Sequence, residues 1–166
     1  IRDSTNNDFS GELKLPPSVE HIGSYAFTNN WRITGILSIP EGVVSIGQEA
    51  FAGCKMLEGV VFPESMETIR QRAFAECFGI GSIVCRGTMP PRIEREAFDG
   101  VARDNFTVEV PVSAVASYQT AQGWCEFKRI AAHHELTCRP SVACALSTEH
   151  KQTITVQAEG EWEVAS

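Results

Sequence analysis

The sequence predicts a solenoid of short, strand-containing coils that ends in a helical cap and continues into a partial all-β tail. A Pro…Ile…Ala-Phe skeleton occurs four times in the 166-residue chain, at 15–27, 39–51, 62–74 and 89–98. A short apolar run of the β type follows each copy, at 36–39, 60–62, 83–85 and 108–110. The period then stops near residue 130. Together these observations indicate stacked copies of one small unit.

The copies keep a tight register. The phenylalanines of the Ala-Phe pairs are 24, 23 and 24 residues apart, and one isoleucine per copy repeats the same steps. The two sets are Phe27, Phe51, Phe74 and Phe98, and Ile22, Ile46, Ile69 and Ile93. A unit of this size cannot bury its apolar side alone, but stacked units bury it in one column. We therefore expect about four coils of 23 to 24 residues.

The strands predict one buried side and one displayed side. Alternation places Val60 and Phe62 inward and Val61 outward, and a proline such as Pro63 then ends the strand because it has no N–H to donate. Equivalent outward residues of stacked coils line up. The predicted displayed face, and the predicted binding site, consists of Ser38, Gly59, Val61, Ser82, Val84, Thr107 and Glu109.

Both ends of a stack need covering. Residues 11–15 are expected to supply the first strand, after a polar stretch at 1–10. At the other end, residues 111–130 predict a cap in which Ser113 is the helix N-cap and Gly123 stops the helix. The apolar cap residues, of which the last three close the column, are Val115, Ala116, Tyr118, Trp124, Phe127 and Ile130.

The repeat resembles the BspA-type leucine-rich repeat of bacterial surface proteins. Residues 39–57 carry the pattern nearly position for position, through Ile39, Pro40, Val43, Ile46, Gly47, Ala50, Phe51, Cys54 and Leu57. Residues 62–80 carry it with Met66 for the valine, Arg70 for the glycine and Ile80 for the leucine. The resemblance covers about 11–130 and implies a leucine-rich-repeat solenoid with a terminal cap and a role in adhesion.

Six cysteines are present, two of them at the same position of adjacent coils. Strand spacing would let Cys54 and Cys77 bridge, but parallel inward side chains favour free, packed thiols, with the bridge as the alternative. Cys85 takes a strand position and is expected in the core. For Cys138 and Cys144, a bridge in an exported protein and two free thiols both stay open.

Residues 131–166 break the period and predict a second region. Their strand order resembles the opening of a BACON domain, a β-sandwich of exported Bacteroidetes proteins. The matching positions are the Leu136 strand, the strand at 152–158 and Trp162 after the 159–160 turn. Such a domain has about twice this length. The expected division is a solenoid at 1–130 and a partial sandwich at 131–166.

Several function classes are disfavoured. The net charge of −7 is spread along the chain without a basic stripe, which argues against nucleic acid and anionic membranes as partners. No apolar stretch is long enough to span a bilayer. The adjacent His133 and His134 point apart and read as linker, while Glu41 and Glu64 read as solvated turn residues. We expect no catalytic residues, metal or cofactor.

The sequence thus predicts a non-catalytic interaction or adhesion module of an exported bacterial protein. The resemblance implies a partner protein on a host or neighbouring cell, or in its matrix, and a surface location through an outer-membrane lipoprotein anchor or secretion. The first residue is Ile1, so we expect a mature fragment. A glycan-binding accessory module that uses Trp31 or Trp162 is one alternative, and a structural spacer is another.

Overall fold

The computed structural model describes residues 10–133, which form a β-solenoid of about five turns with one short helix. The predicted fold class is confirmed. In chain order the strands are β1 (Gly11–Glu12), β2 (His21–Ile22), β3 (Ile33–Ser38), β4 (Ser45–Ile46), β5 (Leu57–Phe62), β6 (Thr68–Ile69), β7 (Ser82–Cys85), β8 (Arg92–Ile93), β9 (Val108–Val110) and β10 (Ile130–Ala132).

The longer strands make a six-stranded sheet in the order β1-β3-β5-β7-β9-β10. All neighbours are parallel, as expected when each coil contributes one strand and returns to the same side. The four predicted strand runs lie in this sheet, and β3 and β5 each begin three residues earlier than predicted. Val60 and Phe62 are fully buried, which confirms their inward direction.

A second parallel sheet, in the order β2-β4-β6-β8, forms another side of the coils. Each of its strands has two residues, and the register pairs Ile22 with Ile46, Ile46 with Ile69 and Ile69 with Ile93. The sequence predicted the isoleucine column but not the sheet, because two residues are too few to show strand alternation.

A third side is the Ala-Phe segment of each coil, at 24–29, 48–53, 71–76 and 95–100, which is built of consecutive turns. Two residues per segment are left-handed, such as Tyr25 (φ 61°) and Asn29 (φ 59°) in the first. Alternate N–H groups of one segment donate to carbonyls of the next coil, and we call this set of bonds the Ala-Phe ladder. Its central bonds are Phe27 N–H to Ala50 O at 2.7 Å, Phe51 N–H to Ala73 O at 2.8 Å and Phe74 N–H to Ala97 O at 2.7 Å.

The four repeat phenylalanines stack face to face along the solenoid. Their ring centroids are 5.1, 5.2 and 5.3 Å apart, with interplanar angles of 6 to 8°. Phe62 from the long sheet meets Phe74 edge-on at 5.8 Å. This confirms the continuous column that the repeat predicted.

The cap consists of a 3-10 turn (Val112–Ala114), helix α1 (Val115–Thr120) and a second 3-10 turn (Trp124–Glu126). Tyr118 and Trp124 are fully buried and are anchored to the last coils, with Tyr118 Oη donating to Gly87 O at 3.1 Å and Trp124 Nε1 donating to Pro91 O at 2.8 Å. The predicted lid is therefore present. Its strand β10 extends to Ala132, two residues past the predicted end of the solenoid.

Two details of the predicted cap were wrong. Ser113 is not a helix N-cap, since it lies inside the first 3-10 turn and makes no capping bond. The helical backbone begins earlier than predicted because Pro111, with φ −55°, precedes the turn with a suitable fixed dihedral. Helix α1 ends at Thr120, and Gly123 (φ 83°) precedes the second 3-10 turn instead of stopping the helix. Ala116 is exposed.

Candidate interaction surface

The outward side of the six-stranded sheet carries the residues predicted to be displayed. Its main row pairs Ser38 with Val61, Val61 with Val84 and Val84 with Glu109. Ser38 and Glu109 are exposed and the two valines are half-buried. We call this outward side the sheet face.

A second row runs beside the first. Ser82 is half-buried and pairs with Gly59 in the register, and the half-buried Thr107 directly precedes β9. Gly59 itself is buried, because the Ser82 side chain lies over it: a Cβ atom built on Gly59 would be 2.1 Å from Ser82 Oγ. Ser82 rather than Gly59 therefore supplies the contact surface at this point.

Ile36 belongs to the sheet face and was not predicted there. It is 57% exposed and pairs with Gly59, at the start of the second row. Ile36 faces outward by the ordinary alternation of β3, since Ile33 and Leu37 are buried and Ser38 is exposed. The register shift between Gly35 and Ile36 instead leaves one unpaired residue, Glu58, in β5. The available sequence signal was its equivalence to Gly59 and Ser82.

Three further exposed apolar side chains lie in the turns that precede the long strands. Trp31, Met56 and Phe78 are 52, 49 and 56% exposed. The Arg32 guanidinium carbon is 4.8 Å from the Trp31 ring centroid, and Lys55 Nζ is 6.0 Å from that of Phe78. Sequence reasoning singled out Trp31 alone. The missed signal was a bulky apolar residue, Phe78, at a turn position where a solvated side chain is expected.

The buried cysteines are structural. In the described part of the chain Cys54, Cys77 and Cys85 are free thiols and buried, as the repeat predicted. Cys54 Sγ donates to Phe27 O at 3.3 Å and Cys77 Sγ donates to Phe51 O at 3.1 Å, so equivalent thiols make equivalent bonds. Burial raises the pKa of Cys54 to about 12 and also raises the pKa of Cys77 and Cys85, so all three stay protonated at neutral pH.

Residues 10–133 were predicted to hold no metal site and no membrane span. They contain no group of three or more His, Cys, Asp or Glu side chains placed to hold a metal ion. None of their helices is both long and apolar enough to cross a membrane. Glu41 and Glu64 are exposed, and Glu41 pairs with Arg86 at 3.1 Å.

The sequence matches the BspA type leucine-rich repeat region, described with six copies, over residues 6–122. The chain belongs to the BspA-type leucine-rich repeat family. The match confirms the main resemblance and ends before residue 131, so the BACON-like resemblance stays a prediction. Its positions, including Leu136 and Trp162, lie outside the described residues, as do Cys138 and Cys144.

Among curated proteins, none matches the chain significantly. A solved structure described as the pneumococcal vaccine antigen PcpA is similar at 16% sequence identity with a TM-score of 0.42. The similar region covers 75% of this chain and 42% of that one.

Proposed function

We propose that this BspA-type solenoid is a non-catalytic module of an exported bacterial surface protein that binds a partner protein through the sheet face. The observation that carries the proposal is the set of three outward aliphatic side chains, Ile36, Val61 and Val84, on adjoining strands of one parallel sheet. Stacked coils hold such a face in place before binding, which lowers the entropy lost on association.

The chemistry of the sheet face favours a protein partner with an apolar centre. Ser38 and Ser82 flank the aliphatic residues with small hydroxyls, and Glu109 adds an acidic end. Together with the net charge of −7, this favours a partner whose contact surface has a basic rim. Membership of the family supports a cell-surface location and protein binding. A host or neighbouring-cell protein as the partner, and attachment by a lipoprotein anchor or release by secretion, belong to the proposal.

Three of the cysteines are explained by packing and not by nucleophilic chemistry. A nucleophilic cysteine needs a lowered pKa and access to substrate. Cys54, Cys77 and Cys85 have raised pKa values and are buried, so these three thiols serve packing.

Glycan binding is the second candidate, and Trp31 is the observation that favours it. Its indole is about half exposed, as a sugar-stacking platform requires. However, Arg32 lies 4.8 Å from the ring centroid and covers part of the indole. The sheet face offers a larger continuous surface, and we rank protein binding first.

Binding arrays distinguish these candidates. The full chain is tested on immobilised host-matrix proteins and on a glycan array, beside the double variant Val61→Arg/Val84→Arg. The matched control is Ser117→Arg/Gln119→Arg, which adds the same charge on exposed positions of α1. We expect binding to matrix proteins that the sheet-face variant loses and the control keeps.

Three other outcomes on the arrays would change or refute this proposal. Glycan binding that Trp31→Ala abolishes would replace the proposal with the second candidate. Absence of binding to both arrays favours a spacer. Equal binding by the sheet-face variant and the wild-type chain would refute the sheet face as the site.

A further inference from the structure

The Ala-Phe ladder ends abruptly at the fourth coil. At each of the three junctions between coils, three alternate N–H groups of one segment donate to the next coil. The third junction shows the pattern, with donation from Arg72, Phe74 and Glu76 to Arg95 O, Ala97 O and Asp99 O at 3.4, 2.7 and 2.7 Å. The corresponding donors of the fourth segment are the N–H groups of Glu96, Phe98 and Gly100, and no described residue accepts from them.

The cap covers the fourth coil without continuing its ladder. Trp124 and Phe127 cover the Phe98 ring at centroid distances of 6.2 and 5.5 Å, in place of a fifth stacked phenylalanine. The cap backbone here is a 3-10 turn (Trp124–Glu126), and its carbonyls accept no hydrogen bond from the N–H groups of the fourth segment. The side-chain column is therefore closed while the backbone edge beside it is not.

Two adjoining clefts of about 370 and 480 Å³ run along this edge, and both are lined by Phe98, Arg103 and Glu126. The Arg103 guanidinium pairs with Glu126 of the cap, but Arg103 Nε is buried and has no hydrogen-bond partner. Phe98, the central ladder residue, is 1% exposed. The clefts thus adjoin three backbone N–H groups and one guanidinium N–H that lack acceptors among the described residues, with Phe98 buried and Glu96 and Gly100 exposed. A buried donor without a partner costs free energy that an incoming acceptor recovers.

The charge around the clefts favours a neutral acceptor over an anion. Five carboxylates line the clefts and four cations line them or pair with those carboxylates. The acids are Glu94, Glu96, Asp99, Asp104 and Glu126, and the cations are Arg72, Arg95, Arg103 and Lys128. Without a positive excess, phosphate or carboxylate is not attracted. Peptide carbonyls at alternate residues are what the same donors bind in the other three coils.

We propose that the fourth-coil edge of the Ala-Phe ladder is a docking site for an extended peptide segment of a partner protein. The segment places three alternate backbone carbonyls on Glu96 N–H, Phe98 N–H and Gly100 N–H. Its central residue is small, because the residue at this position is a buried alanine at every existing junction: Ala50, Ala73 and Ala97. It needs no aromatic side chain, since Trp124 and Phe127 already cover Phe98. This site is separate from the sheet face and does not depend on it.

Amide NMR and hydrogen exchange on the full 166-residue chain test the site. The probe is an acetylated, amidated peptide of residues 48–53 with Phe51→Ser, which keeps the ladder carbonyls and removes the ring. The matched control peptide carries Ala50→Leu in addition. With the probe we expect downfield shifts of the three backbone amides and slower exchange by about tenfold or more. We expect Arg103 Hε to shift with them, and neither effect with the control peptide.

Two outcomes would overturn the proposal. Unchanged amide shifts at the highest soluble concentration of the probe peptide would show that the edge does not bind an extended peptide. Strong protection of the three amides in the free chain would show that another part of the chain already occupies it. Since the readout is confined to these amides, it is independent of binding at the sheet face.

Discussion

Replacing Phe74 with alanine tests the packing that holds the coils together. Its ring is fully buried between Phe51 and Phe98, at 5.2 and 5.3 Å, and meets Phe62 edge-on at 5.8 Å. Removing a buried phenylalanine costs roughly 3 to 5 kcal/mol, partly for the cavity that remains. Because the inflexible stack on both sides limits collapse, we expect Phe74→Ala to lower the free energy of unfolding by about 4 kcal/mol.

The same substitution at the end of the stack should cost less. Phe27 is half-buried and stacks on one ring only, that of Phe51 at 5.1 Å. We expect Phe27→Ala to cost about 2 kcal/mol, which is half of the central effect. Phe78→Ala is the control, because Phe78 is 56% exposed and its loss should change stability by less than about 0.5 kcal/mol.

Urea denaturation followed by circular dichroism measures all three variants. The urea midpoint should be highest for Phe78→Ala, lower for Phe27→Ala and lowest for Phe74→Ala. The dependence of the free energy of unfolding on urea concentration should be similar in all three. Equal costs at Phe27 and Phe74, or a cost below about 2 kcal/mol at Phe74, would refute a continuous stacked column.

Cysteine labelling and two single substitutions test the local packing. At about pH 8, iodoacetamide should modify the exposed Cys125 and spare Cys54, whose burial raises its pKa to about 12, and comparable labelling by peptide mass spectrometry would contradict this. Asn30→Val should raise the urea midpoint, by about 1 kcal/mol in stability, because the buried Asn30 Oδ1 has no partner; a lower midpoint would count against it. Gly47→Ala should cost about 2 kcal/mol, since its Cβ would be 2.4 Å from backbone of the preceding coil. Gly81→Ala, with nothing nearer than 3.9 Å, is the matched control, and equal thermal midpoints would refute the clash.

The repeat made most of the fold predictable. Phe51 and Ile46 recur at fixed spacing, so the column, the long strands and the packed thiol of Cys54 all followed from one period. The lid was predictable because Trp124 and Phe127 are bulky residues placed where the period stops.

What the sequence could not supply depends on backbone detail. The register shift at Gly35 and Ile36 places one extra residue, Glu58, in β5, so that Leu57 and Val60 are both buried, and no composition rule signals it. The covering of Gly59 by Ser82 depends on a neighbouring coil. The unpaired edge at Phe98 depends on how the cap backbone diverges, which is a three-dimensional property.

If the sheet face is a displayed surface, its strands should accept arginine at outward positions and not at the inward positions that alternate with them. The most direct measurement is the thermal unfolding midpoint of Val61→Arg/Val84→Arg beside that of Val60→Arg/Ile83→Arg, whose residues are fully buried. The outward pair should fold, with a loss of less than about 1 kcal/mol from two arginines on adjacent strands. The inward pair should not fold, because its charges have no water or partner. Unfolding of the outward variant as well would contradict an outward face and the interaction surface built on it.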